Sequence, residues 1–201
     1  MARYRSSRIL PAILILVIAI IVIVAIVSLF RIIFTSNGSP TPTQADTSRT
    51  ALLDTSVGHS VKMTVRGPIV ASEDFHSYTL AIDSTIRSLT TYSGYTDTVV
   101  DNVALGNDTP SYEQFVYALD KANLEKGVQL TGDANDLRGR CATGQLYDFQ
   151  ILDGSTVVKD LWTSTCTGSK GSLSANVGQL VSLFQAQIPN AQATIRKVDL
   201  Q

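Results

Sequence analysis

Cys141 and Cys166 are the only thiols in this 201-residue chain, and such a pair closes a disulfide or helps hold a metal. Only two histidines accompany them, too little material for a transition-metal site, so no metal is expected. Asp74 and His76, with Glu73 alongside, would share one side of a strand, and a carboxylate beside an imidazole serves acid–base or metal chemistry. No third partner follows, and polar residues entering a strand are the plainer reading. Asp133, Asn135 and Asp136 have the composition of a calcium loop but the wrong spacing, and the closing glutamate is missing; a solvated turn is expected there. Arg138 and Arg140 beside Cys141 would suit an anion or pair with neighbouring acids. With Tyr147 and Trp162 they form a candidate contact patch, although both rings are also natural core residues. Neither a Gly-x-Ser-x-Gly elbow nor a Ser-x-x-Lys motif is present, so neither a catalytic residue nor a cofactor is expected.

Charge narrows the partners. Arg3, Arg5, Arg8 and Arg31 precede Asp46 with no acid among them, whereas from Gln44 onward there are 12 basic and 17 acidic side chains, a net of −5. Nucleic acid binding needs a concentrated basic surface, so no nucleic-acid partner is expected.

The elements that would position these residues begin with an anchor. Ile9 to Phe30 carries no charge over 22 residues and as a helix would reach roughly 33 Å, enough to cross a hydrocarbon core of about 30 Å. Ile and Val dominate it; lipid overrides their weak helix preference, because every backbone polar group must be satisfied internally. Three arginines precede the run and only Arg31 follows closely, so the positive-inside bias places the N-terminus in the cytoplasm and the rest outside. A cleaved signal peptide would have a shorter apolar core and a small-x-small site, where this chain has Arg31-Ile32-Ile33-Phe34. A pilin-type processing site, Gly before Phe with a Glu five residues in, has no counterpart either. The expected plan is a cytoplasmic tail over 1–8, an anchor with its flank over 9–34, a flexible linker over 35–50, and an extracytoplasmic domain over 51–201. The linker is small, polar and proline-bearing, unable to offset its ordering entropy by burial. Asn37-Gly38-Ser39 and Asn107-Asp108-Thr109 match the N-glycosylation triplet.

Within the domain, Val61–Arg66, Tyr78–Ile82 and Thr85–Tyr92 read as strands. A helix is expected after Thr109-Pro110, with Thr109 as its cap, an apolar stripe of Tyr112, Phe115, Val116 and Leu119, and Gly127 as its terminator. Another should run over Val177–Ile188, capped by Asn176 and stopped by Pro189; Ala193–Leu200 reads as a last strand. Asp153-Gly154 signals a hairpin turn. With that pair as the turn, Asp148 faces Lys159, Phe149 faces Val158 and Gln145 faces Trp162, while Tyr147, Phe149, Ile151, Val158 and Trp162 share one side. Carried outward, the register sets Cys141 opposite Cys166 at disulfide distance, unless a bulge, as at Gly144, shifts the count. The bond would close a 26-residue loop, worth on the order of 3 kcal/mol; the alternative is two unrelated buried thiols.

The stretch Arg140-Cys141-Ala142-Thr143-Gly144-Gln145-Leu146-Tyr147, continuing to Leu161-Trp162 and Cys166, resembles uncharacterised single-pass envelope proteins of ultrasmall candidate-phylum bacteria. The likeness covers most of the exported part and brings no known activity, so it assigns no functional residue. The order hairpin, helix, hairpin, helix is similar to emfourin-type metalloprotease inhibitors, which differ in lacking the anchor and the disulfide. The expected fold is therefore α+β: an N-terminal transmembrane helix, then an antiparallel sheet with two helices on one face and a disulfide-closed hairpin. The expected function is that of a membrane-anchored extracytoplasmic binding or envelope-assembly protein, non-catalytic, with the lipid bilayer and another envelope or surface protein as partners. An exposed apolar or aromatic patch would mark it. A membrane-tethered protease inhibitor is one alternative. The other is a wall- or glycan-acting hydrolase, for which Glu73, Asp74, Asp133 and Asp136 are the available carboxylates.

Overall fold

The computed structural model describes residues 44–198 and 200. The expected tail, anchor and most of the linker lie outside these residues, and no helix among the described residues is long and apolar enough to cross a membrane. The domain is α+β, built on one antiparallel sheet of six strands: β1 (His59–Arg66), β2 (His76–Asp83), β3 (Ile86–Ser93), β4 (Thr98–Gly106), β5 (Leu146–Asp153) and β6 (Thr156–Ser164). Their order is β4-β3-β2-β1-β5-β6, so the chain runs outward as a meander and returns to pair β5 with the free side of β1.

Alternation sends one side of each inner strand to the core. Val61, Met63 and Val65 of β1 lie beside Tyr78, Leu80 and Ile82 of β2, Leu89 of β3, and Phe149 and Ile151 of β5, all buried. The helices cover that face and share its apolar cluster. They are α1 (Gln44–Leu53), α2 (Thr109–Lys121), α3 (Val177–Gln185) and α4 (Ala191–Ile195), four where two were expected. Phe184 of α3 is fully buried and stands edge-on to Phe115 of α2 at 5.3 Å between centroids.

Several boundaries differ from the sequence reading. Helix α1 begins at Gln44, inside the stretch read as linker. Its Leu52 is fully buried, and Arg49 forks onto Asp120 of α2 at 2.6 and 3.0 Å. The cap of α2 is Asp108, which accepts from Ser111 N–H, so Thr109 is already helical. Gly127 does not end that helix; Asn123, at φ 61°, follows its last turn, while Gly127 bridges to Leu173. Asn176 does cap α3, accepting from Gln179 N–H at 3.0 Å. The expected strand over Ala193–Leu200 is replaced by α4, because Ala191, Thr194, Ile195 and Val198 are the buried residues there and their spacing is helical.

The β5–β6 hairpin turns on Gly154-Ser155, pairing Asp153 with Thr156, and a bulge between Ile151 and Leu152 shifts the ladder further. Phe149 thus faces Leu161, Asp148 faces Trp162, and Leu146 faces Ser164. The expected pairs, Asp148 with Lys159 among them, are wrong by an odd number of residues, and an odd slip exchanges faces. Trp162 consequently sits on the sheet face opposite Tyr147, Phe149 and Ile151.

Beyond β6 the chain folds back so that Ser172 N–H and Leu173 N–H both donate to the Trp162 carbonyl, at 2.9 and 3.0 Å. Gly171 makes this approach possible: at φ +74° it is left-handed, and a Cβ there would overlap the Trp162 carbonyl oxygen. Gly171→Ala is expected to cost roughly 1–3 kcal/mol for the backbone conformation alone, read as a lowered urea midpoint at unchanged slope. A midpoint equal to wild type would show that this crossing is not close.

Candidate functional site

The sheet face away from the helices is covered at one end by the segment between α2 and β5. A 3-10 turn (Gly132–Asn135) lies within it, and Arg140 ties it together, donating from Nε to the Asp136 carbonyl at 2.8 Å and from Nη2 to the Asp133 carbonyl at 2.6 Å. The guanidinium also lies over the Trp162 ring, 5.8 Å from its centroid. Arg138 forks onto Asp136, and these hydrogen bonds hold the Asp136 carboxyl down at about 2. The Asp133–Asp136 stretch is therefore a turn organised by arginines.

Cys141 and Cys166 are joined, with Cα atoms 5.4 Å apart. The bond lies beyond the open end of the hairpin ladder. Thr165 N–H donates to the Gln145 carbonyl, which continues the observed register and would set Cys166 opposite Gly144. A Cβ on Gly144 would meet both sulfurs, at 3.2 and 3.4 Å. Its missing side chain leaves the room through which the disulfide crosses. The pairing was correctly expected; the ladder register used to reach it was not.

Between this loop and the β1–β2 connection lies a pocket of about 360 Å³, lined by Arg66, Gly67, Ile69, Phe75, Tyr95, Leu137, Arg138, Gly139, Arg140, Cys141 and Leu146. Ile69 N–H donates to the Ala142 carbonyl at 2.9 Å, joining the two walls. Tyr95 stacks on Phe75 at 4.1 Å, donates its hydroxyl proton to the Val70 carbonyl at 2.8 Å and accepts from Val70 N–H. Ile69, Val70 and Tyr95 nonetheless remain 46%, 38% and 50% exposed, so an apolar patch adjoins the pocket. Three arginines line it within a domain of net negative charge. Arg138 and Arg140 are engaged by the loop, whereas the Arg66 side chain makes no hydrogen bond or ion pair with the described residues and acts on Asp148 only through its field. Pockets of this size, mostly apolar with a few placed polar groups, are the usual form of small-ligand sites.

The structure divides the four residues read as one contact patch. Arg138 and Arg140 line this pocket; Tyr147 lines a separate, broader hollow of about 750 Å³ with Tyr78 and Arg196; Trp162 is 3% exposed, packed behind the pocket against Cys141 and Leu146 with Arg140 over its ring. Glu73 and Asp74 are exposed in the β1–β2 connection and His76 begins β2, so Asp74 and His76 do not share a strand face. Glu73, Asp74, Asp133 and Asp136 come from two different loops, and none lines the pocket.

One pair escaped the sequence reading. Asp148 and Asp160 are diagonal neighbours on the covered face, since Asp148 faces Trp162 and Gln150 faces Asp160. Burial raises the Asp148 carboxyl to about 8; its hydrogen-bonding and charge interactions with Asp160 add to the rise, and the fields of Lys62 and Arg66 oppose it. Only the observed register reveals this pair, because the expected one set Asp148 against a lysine. Comparison of the chain with protein-family models and with curated proteins finds no match.

Proposed function

We propose that this chain is a membrane-tethered, non-catalytic binding protein whose folded domain works outside the cytoplasm. Its ligand has an apolar body and an acidic end, taken into the pocket beside the disulfide. The observation that carries the reading is that pocket: apolar walls, an exposed Ile69–Val70–Tyr95 patch beside it, and at its lining an Arg66 side chain that forms no hydrogen bond or ion pair with the described residues. An apolar body gains by leaving water, and a guanidinium receives a carboxylate or phosphate in its planar fork. The compartment rests on the uncharged run from Ile9 to Phe30 with its arginine-rich leading flank. A disulfide in the domain suits an oxidising environment outside the cytoplasm. The bilayer is then one partner, and another envelope or surface component supplies the ligand.

Two results are expected. Protease added to intact cells removes the C-terminal domain and leaves the N-terminal tail; a fully shielded domain would overturn the topology. Arg66→Ala weakens binding of decanoate, a simple apolar acid, by roughly tenfold to a hundredfold, the loss of one charged hydrogen bond at about 1.5–3 kcal/mol. Calorimetry giving equal affinity for the two proteins would remove Arg66 from the site.

A further inference from the structure

Beneath the 3-10 turn, on the same sheet face, four polar side chains meet with too few donors among them. Asn135 Nδ2 donates to Asp160 Oδ2 at 2.9 Å, and Gln150 Nε2 donates to Asp148 Oδ2 at 3.3 Å. Each amide thus spends donor capacity on a carboxylate. With both carboxylates ionised, Asp148 Oδ1, Asp160 Oδ1, Asn135 Oδ1 and Gln150 Oε1 are enclosed and find no hydrogen-bond partner among the described residues. Asp148 is only 7% exposed, and an unsatisfied buried polar atom costs about 1–3 kcal/mol, more when charged. Lys62 and Arg66 act on Asp148 through their field, but neither donates a hydrogen bond to it.

The indole beside this cluster is also unpartnered. Trp162 is 3% exposed, and its Nε1 has no acceptor. Gly171 lies against the Cε3 edge of the ring, on the outer side of β6. The opposite edge, which carries Nε1, is therefore turned toward β5 and Asp148, its cross-strand partner. A proton shared by the carboxyls would satisfy two of the four oxygens, and the indole N–H one more. A cation bound among them would offset both the unpaired oxygens and the repulsion between buried Asp148 and partly buried Asp160.

We propose that Asp148, Asp160, Asn135 and Gln150 bind a hard divalent cation of the calcium class, with Trp162 Nε1 donating to a water in its shell. Oxygen-only ligands select calcium or magnesium over softer metals. Calcium tolerates irregular geometry and a shell completed by water, whereas magnesium demands a near-ideal octahedron. Among the described residues no three His, Cys, Asp or Glu side chains gather to hold a metal, so the amide oxygens are essential to this site. Two carboxylates near two cationic side chains imply weak binding, in the roughly 10⁻⁴–10⁻³ M range of extracellular calcium modules. Asn135 belongs to the turn and the other three to the hairpin, so the ion would clamp the covering loop to the sheet. Arg66 and Arg140 border both this site and the pocket, but the cation and the apolar acid are read by separate measurements, so either can fail without the other.

Trp162 is the only tryptophan in the chain, which makes it a built-in donor for terbium luminescence. Full-length protein in detergent, excited at the indole, is expected to sensitise bound Tb³⁺, with the emission displaced by excess Ca²⁺ but not by equal Mg²⁺. The double variant Asp148→Asn, Asp160→Asn keeps the side-chain shapes and removes both charges; it should lose at least tenfold of the emission. Millimolar Ca²⁺ should also raise the wild-type melting temperature and leave that of the variant unchanged. No sensitised emission, emission equal in the variant, or equal displacement by Mg²⁺ would each overturn the assignment. So would a calcium-insensitive wild-type melting temperature.

Discussion

Replacing Cys141 and Cys166 together by serine is expected to destabilise the domain by about 3 kcal/mol. The two residues are 25 apart in sequence, and the bond removes the corresponding loop freedom from the unfolded chain. The apolar packing that otherwise holds this end is small. Cys141, Leu146 and Trp162 form a small cluster of their own, with Leu130, Leu137 and Cys166 against it. That cluster is separate from the main core between sheet and helices. Loss of the bond should therefore lower the denaturation midpoint and loosen the 137–141 wall of the pocket, while the strands of the main core keep their hydrogen-exchange protection. Urea titration of oxidised wild type beside the double variant checks the first part. A difference under about 1 kcal/mol, within the usual scatter of surface substitutions, would show that the loop is held by its other contacts.

A second large effect should follow pH. The Asp148 carboxyl is pushed up to about 8 in the folded domain, well above the ordinary aspartate value of 3.8. Between these values the folded state holds a proton that the unfolded state has released. Its contribution is fully present near pH 4 and is lost as pH rises toward 8. In chelator, the unfolding free energy should thus fall as pH rises from 5 to 8. Asp136, held at about 2 by Arg138, works in the opposite sense, but its window lies below pH 4. Asp148→Asn supplies the buried hydrogen permanently and should flatten the profile. A wild-type profile that is level or rising over this range would mean that Asp148 is ionised in the fold.

What could be read from the chain followed the strength of each local signal. Strands β1 and β2 alternate apolar and polar residues because one face is covered, and β3 shows itself by its threonines and other β-formers. Helices α2 and α3 carry both a cap and a stripe. Strand β4 has no such pattern: it lies at the sheet edge, and Val99 and Val100 are adjacent and both largely exposed. Helix α1 is polar over most of its length, and its place depends on Leu52 and Arg49 reaching partners far along the chain. The hairpin register turned on a bulge at Ile151/Leu152, which no residue type announces. That bulge and the turn lying one residue later together hid the Asp148–Asp160 pair and misplaced Trp162. The disulfide survived the error because only two cysteines were present to pair. The pocket was half legible: Arg138 and Arg140 stood out beside Cys141, but Arg66, Phe75 and Tyr95 reach it from strands and turns distant in sequence.

The most direct test of the binding claim is a titration of isotope-labelled protein with decanoate and, separately, with decanol, which has the same chain without the charge. Decanoate should shift the resonances of Arg66, Ile69, Phe75 and Tyr95 along one saturable isotherm, with decanol binding there at least tenfold more weakly. Shifts scattered over the surface, or equal affinities for acid and alcohol, would contradict the account.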